Sequence, residues 1–182
     1  MIRSHFGAGR LALGLGLAAA LAGCTAKPVA RADAAEADAS PHVVAASTLE
    51  AGKYLTLVGG CNDCHTAGYI ESGGTTPEAD RLTGRAVGAR GPWGTSYPAN
   101  LRLLTQSITE DGWVKLIRDG RSLPPMPSAN MSKMSEADLR ALYQYIKSLG
   151  PKGAPEPENL PPGQEPTTPY ENMMPVAPAK AG

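Results

Sequence analysis

Gly59-Gly60-Cys61-Asn62-Asp63-Cys64-His65 places two of the chain's three cysteines and one of its three histidines within five residues. Three chemistries use thiols at this spacing. A dithiol redox pair needs a strand before it and an exposed helix start under it, yet here an apolar helical stretch and two glycines precede the pair. A structural zinc site needs four ligands. The remaining cysteine is Cys24, and the other histidines, His5 and His42, stand far toward the amino terminus.

Covalent haem attachment is the third reading, and the spacing explains itself chemically. In C-x-x-C-H each thiol adds to one vinyl group of the porphyrin, and the next residue supplies an imidazole to the iron. Cys61 and Cys64 would carry the two thioethers of one haem c, and His65 would be the proximal ligand.

Outward from the motif the pattern is helical. Ser47-Thr48-Leu49-Glu50 is a capping box, followed by Tyr54, Leu55 and Val58 up to the Gly59-Gly60 break. A second helix starts near Thr109, carries Trp113, Leu116 and Ile117 on one face, and stops at Gly120. Ser135-Glu136-Ala137-Asp138 caps a third, in which Leu139, Leu142, Tyr143, Ile146 and Leu149 recur at helical spacing before Gly150-Pro151. No four- to eight-residue run alternates well enough to predict a strand. The expected fold is mostly α, with long Gly/Pro-rich loops over 66–108 and 121–134. Loops that long in so small a domain need something large to wrap.

The folded domain is expected at 48–150, because both flanks lack a sustained apolar period. Arg3 and Arg10 precede an apolar stretch ending Leu21-Ala22-Gly23-Cys24, the pattern of an export signal over 1–23. That ending resembles the lipobox of bacterial lipoproteins, which implies acylation of Cys24 and anchoring to a membrane from the periplasmic side. Thr25 after the cysteine points to the outer membrane. Residues 24–47 are Ala-rich and read as a flexible tether. Residues 151–182 hold nine of the 17 prolines and read as a disordered or polyproline-like tail. Net charge is zero over 182 residues, and 48–150 carries eleven Lys/Arg against ten Asp/Glu. That balance argues against nucleic-acid binding and against strong electrostatic steering.

A sixth coordination position needs a residue from elsewhere. Met126 stands in Leu123-Pro124-Pro125-Met126-Pro127, where prolines exclude a helix and suit a loop that presents one thioether. Met131 competes with it. Met134 already has a role as the apolar residue preceding the Ser135 cap, facing Leu139, and Met173 and Met174 lie in the tail.

Taken together, the helix leading into Cys61-x-x-Cys64-His65, the Gly91-Pro92-Trp93-Gly94-Thr95-Ser96-Tyr97-Pro98-Ala99-Asn100 loop and a proline-flanked Met126 before a terminal helix resemble a monohaem class I c-type cytochrome. The chain is particularly similar to the cytochrome domains of haem subunits in bacterial periplasmic dehydrogenases. The resemblance implies a small helical domain around one haem, Met126 as distal ligand, and the Pro92 carbonyl as acceptor for the His65 Nδ1–H. It also implies one-electron transfer between redox protein partners, a donor dehydrogenase and a terminal acceptor, rather than catalysis. An obligate haem subunit of a dehydrogenase or oxidase complex is the alternative. A haem sensor or peroxidase-like enzyme would need an open distal site and a distal acid/base group, and 48–150 contains no histidine besides His65.

Overall fold

Ser47 turns an extended chain into the first helix. Its Oγ accepts the Glu50 N–H at 3.2 Å, and α1 runs Thr48–Val58. The structure, a computed structural model, describes residues 40–178. Cys24, the expected signal and most of the tether lie outside the described residues.

The hub is α6, Glu136–Ser148. The Ser135 hydroxyl caps it by accepting the Asp138 N–H at 3.1 Å, and Leu139, Leu142 and Ile146 are fully buried along it. Each such side chain contributes about 1.5–3 kcal/mol of hydrophobic stabilisation. Helix α1 crosses α6 closely, because Gly52 has no side chain to hold Ala141 and Tyr145 away. Leu101–Ser107 forms α3, capped by the Asn100 side chain, and Glu110–Asp119 forms α4, capped by Thr109. Both pack on α6. Trp113 ties α4 down by donating from Nε1 to the Leu139 carbonyl at 2.9 Å.

Between α1 and α3 the chain is irregular but firmly held. A single turn of helix, α2, is the motif itself, Cys61–His65. Thr66 Oγ1 donates to Asn62 Oδ1 and accepts the Leu82 N–H. Leu82 is completely buried at φ 62, a left-handed conformation unusual for a branched residue. The buried Arg102 guanidinium donates to the carbonyls of Ala79, Leu149 and Gly150, joining this loop to the end of α6. The 121–134 loop includes one further short helix, α5, Ser128–Met131.

Three expectations are corrected here. A small sheet exists where no strand was predicted: β1 (Gly88–Gly91) pairs antiparallel with β2 (Gly94–Ser96) and parallel with β3 (Tyr170–Asn172). Strands of three or four residues are too short to show alternation, and glycine occupies both ends of β1 and the start of β2. Residues 151–178, expected to be disordered or polyproline-like, are instead a strap across the domain. Asn159 Oδ1 accepts the Tyr97 N–H at 2.8 Å, Leu160 pairs its backbone with Thr95, and Glu171 takes both terminal nitrogens of Arg85. Polar anchors hold it, so the low apolar content that suggested disorder was no obstacle. Finally, the tether ends earlier than position 47, since Val43 donates its N–H to Asp138 Oδ1 and packs on the core.

Candidate functional site

A cavity of about 300 Å³ opens beside α2. Cys61, Cys64 and His65 line it from the motif, and Leu101, Leu104, Trp113, Leu142 and Ile146 line it from the core helices. Met126 and Met131 line it from the 121–134 loop, whereas Met134 packs into the core instead. That loop is docked by Ser96, whose Oγ donates to the Pro124 carbonyl at 2.5 Å, and is braced internally by Ser128 Oγ donating to the Ser122 carbonyl at 3.1 Å. Residues 65 and 126, far apart in sequence, therefore share one apolar chamber.

His65 is 8% exposed, and its Nδ1 lies 2.7 Å from the Ala99 carbonyl oxygen. A carbonyl only accepts, so Nδ1 carries the proton and Nε2 is left as the basic nitrogen. Burial holds the imidazole below its usual pKa, opposed by the Ala99 hydrogen bond and then by the Glu156 carboxylate. The neutral ring is the form that binds a metal. The acceptor expected from the resemblance was Pro92, and this is corrected: Pro92 is exposed in the β1–β2 turn, and the 94–100 segment brings Ala99 to the ring. A backbone carbonyl carries no side-chain signature, so sequence reasoning had only analogy with which to place it.

Burial disfavours the thiolate form of both cysteines. Burial pushes Cys61 up to about 11 and also raises Cys64, where Arg85 partly offsets it. A redox-active dithiol relies on a lowered thiol pKa, and the burial here acts in the opposite direction. Among the described residues no group of three or more His, Cys, Asp or Glu side chains gathers that could hold a metal ion.

The aromatic, amide and basic side chains between positions 81 and 113 divide. Tyr97 and Trp113 line the cavity; Trp93 stacks over Gly91 and donates to the Ala89 carbonyl instead. Asn100 caps α3 and grips the strap, donating from Nδ2 to the carbonyls of Lys152 at 2.8 Å and Ala154 at 3.1 Å. Arg81 is spent on the Thr76 carbonyl and the Tyr69 ring, and Arg90 on Glu165 and Tyr170. Only Arg85 of the three reaches the cavity, and its Nε is buried with no partner. A haem fits these surroundings. The chamber is apolar, two thiols and an imidazole stand at one wall, and an orphaned guanidinium nitrogen is available to an anionic edge.

Residues 49–150 match the family model described as cytochrome c. The chain belongs to the cytochrome c family. Its domain carries haem c covalently through Cys61 and Cys64. It is also similar to a nicotinate dehydrogenase subunit from Pseudomonas putida, 29% identical over 124 residues. Those residues are 63% of this chain but only 10% of the relative, so the matched region spans a small part of that longer protein. No solved structure matches the chain.

Among the described residues no helix is long and apolar enough to cross a membrane.

Proposed function

We propose that the chain is a lipid-anchored one-electron carrier of the bacterial periplasm, with its haem iron held between His65 Nε2 and Met126 Sδ. The observation that carries this reading is that Met126 and His65 line one apolar chamber with both attachment cysteines. The bound haem supplies an iron that changes oxidation state by one electron without breaking bonds. A soft thioether favours Fe(II) and raises the potential relative to two imidazoles. The protein's part is to hold both ligands rigidly. His65 is fixed by Ala99, and the methionine loop is docked through Ser96 and braced within itself by Ser128. Filling both axial positions leaves no vacancy for substrate, which separates this reading from a sensor or peroxidase.

Attachment to a membrane through acylated Cys24, with the outer membrane as its location, rests on the Leu21-Ala22-Gly23-Cys24-Thr25 sequence. Partners are a donor dehydrogenase and a terminal acceptor. With a net charge of +1 over 48–150, they would be recognised through a small transient patch rather than by long-range attraction. Similarity to part of a nicotinate dehydrogenase favours a second reading, a dedicated haem subunit of a dehydrogenase complex; co-purification with a catalytic chain separates the two.

Absorption spectra of haem-loaded wild type, Met126→Ala and Met131→Ala test the ligation. A low-spin wild type with the far-red methionine–Fe(III) band, lost in Met126→Ala and kept in Met131→Ala, is the expected outcome. Loss only in Met131→Ala moves the ligand to Met131. A high-spin wild type overturns the carrier.

A further inference from the structure

The strap reaches the iron's proximal side through one peptide group. The Ala99–Asn100 peptide offers its carbonyl oxygen to His65 Nδ1 at 2.7 Å. On its other side, the same peptide donates its N–H, that of Asn100, to Glu156 Oε2 at 2.9 Å. Glu156 lies beyond the 49–150 match to the cytochrome model and also lines the cavity. The order is therefore carboxylate, peptide, imidazole.

We propose that Glu156 is a positioning residue that lowers the reduction potential of the haem by polarising the peptide that holds His65. This rests on the haem-carrier reading above. A peptide that donates to a charged acceptor shifts electron density toward its own oxygen, because hydrogen bonds in series strengthen one another in a low-dielectric interior. A stronger acceptor at Ala99 draws the Nδ1 proton and makes Nε2 a better donor, as partners of ligating histidines do. A more basic ligand favours Fe(III), and so does a negative charge at the cavity wall. Both effects carry the same sign.

The geometry of the strap is what makes the contact dependable. Asn100 Nδ2 holds the strap's carbonyls at 152 and 154, just ahead of Glu156, and Asn159 grips the Tyr97 N–H three residues after it. Gly94, at φ 102, lies directly against the Leu160 carbonyl, where any side chain would push the strap away. Glu156 is thus fixed from both directions along its own chain. The strap is a tuning element added to a domain that already contains its ligands and attachment cysteines.

Redox titrations of the full-length haem protein, comparing wild type, Glu156→Gln and Glu158→Gln, test this. Both substitutions remove one charge from the strap, but Glu158 is exposed and does not line the cavity. In parallel, proton–nitrogen NMR of the reduced protein follows the Asn100 amide and the His65 Nδ1 proton. The expected result is a higher potential in Glu156→Gln than in Glu158→Gln, with both proton resonances moving upfield only in the former. Equal potentials in the two variants overturn the inference. So does a raised potential with both resonances unmoved, which would mean a charge acting through space alone. Should Glu156→Gln fail to take up haem, the wild-type Asn100 amide decides. A strongly downfield position supports the relay, and a position typical of an unbonded amide overturns it. Failure of the carrier reading shows separately, as a wild-type spectrum without methionine ligation.

Discussion

Thr66 illustrates how much one hydroxyl does next to the attachment motif. It follows His65 directly, is 2% exposed, and satisfies two buried groups at once: the Asn62 side-chain oxygen at 2.9 Å and the Leu82 N–H at 2.8 Å. The second bond helps hold Leu82 in its left-handed conformation. Thr66→Val keeps the shape and removes both bonds, leaving a buried donor and a buried acceptor unpaired at a cost of about 2–4 kcal/mol. Thr66→Ser keeps both and should stay within about 1 kcal/mol of wild type. Urea midpoints of the haem-loaded variants measure the difference; equal stability of Val and Ser would mean the network contributes nothing. The attachment residues at this scale were legible in the sequence, because thiol and imidazole chemistry is a property of the side chains at Cys61, Cys64 and His65. The His65 acceptor was not. A carbonyl is present at every position, and which one meets the ring depends on how 94–100 folds over it.

Among the elements, the α1–α6 crossing sets the core, and Gly52 sets the crossing. A methyl group there would overlap the Ala141 carbonyl and the Tyr145 Cβ, both parts of α6 that cannot swing aside. Gly52→Ala should therefore destabilise the protein by about 2–3 kcal/mol, despite the higher helix propensity of alanine. Denaturant unfolding of the haem-loaded variant would show a lowered midpoint; a raised one would mean that α1 lies farther from α6 than the structure places it. The three main helices were readable because Ser47, Thr109 and Ser135 each cap an apolar period. Helices α2, α3 and α5 are four to seven residues long, too short for periodicity to register. The sheet depends on β3, almost eighty residues beyond β1 in the chain, and no local pattern announces such a partner.

Over the whole molecule, Glu78 draws together parts that are distant in sequence. Its carboxylate accepts from Lys53 Nζ of α1 at 2.6 Å and from the Tyr145 hydroxyl of α6 at 2.9 Å. The Lys53 hydrogen bond, above all, holds Glu78 below its ordinary carboxylate value of 4.5. Burial, with Glu78 second, pushes the Tyr145 hydroxyl upward, so it remains a donor. A carboxylate whose pKa is lower in the folded than in the unfolded chain stabilises the fold fully above the unfolded value. That contribution fades as pH falls through the folded one. The stability gap between wild type and Glu78→Gln should thus be constant near neutrality and close below about pH 4. Urea midpoints across that range check it; a gap that widens in acid would reverse the assignment.

The sequence by itself determined the chemistry and the helical core. Cys61, Cys64 and His65 specify covalent haem attachment through adjacent side chains, and capped apolar periods specify helices through local interactions alone. The tertiary structure decided what approaches that chemistry. It selected Ala99 over Pro92 beside His65, brought Met126 to the same chamber, and converted a proline-rich segment into an ordered strap. Those outcomes rest on backbone carbonyls, on single polar anchors such as Glu156, Asn159 and Glu171, and on pairings across tens of residues. Such contacts have no period and no motif, so only the folded chain reveals them.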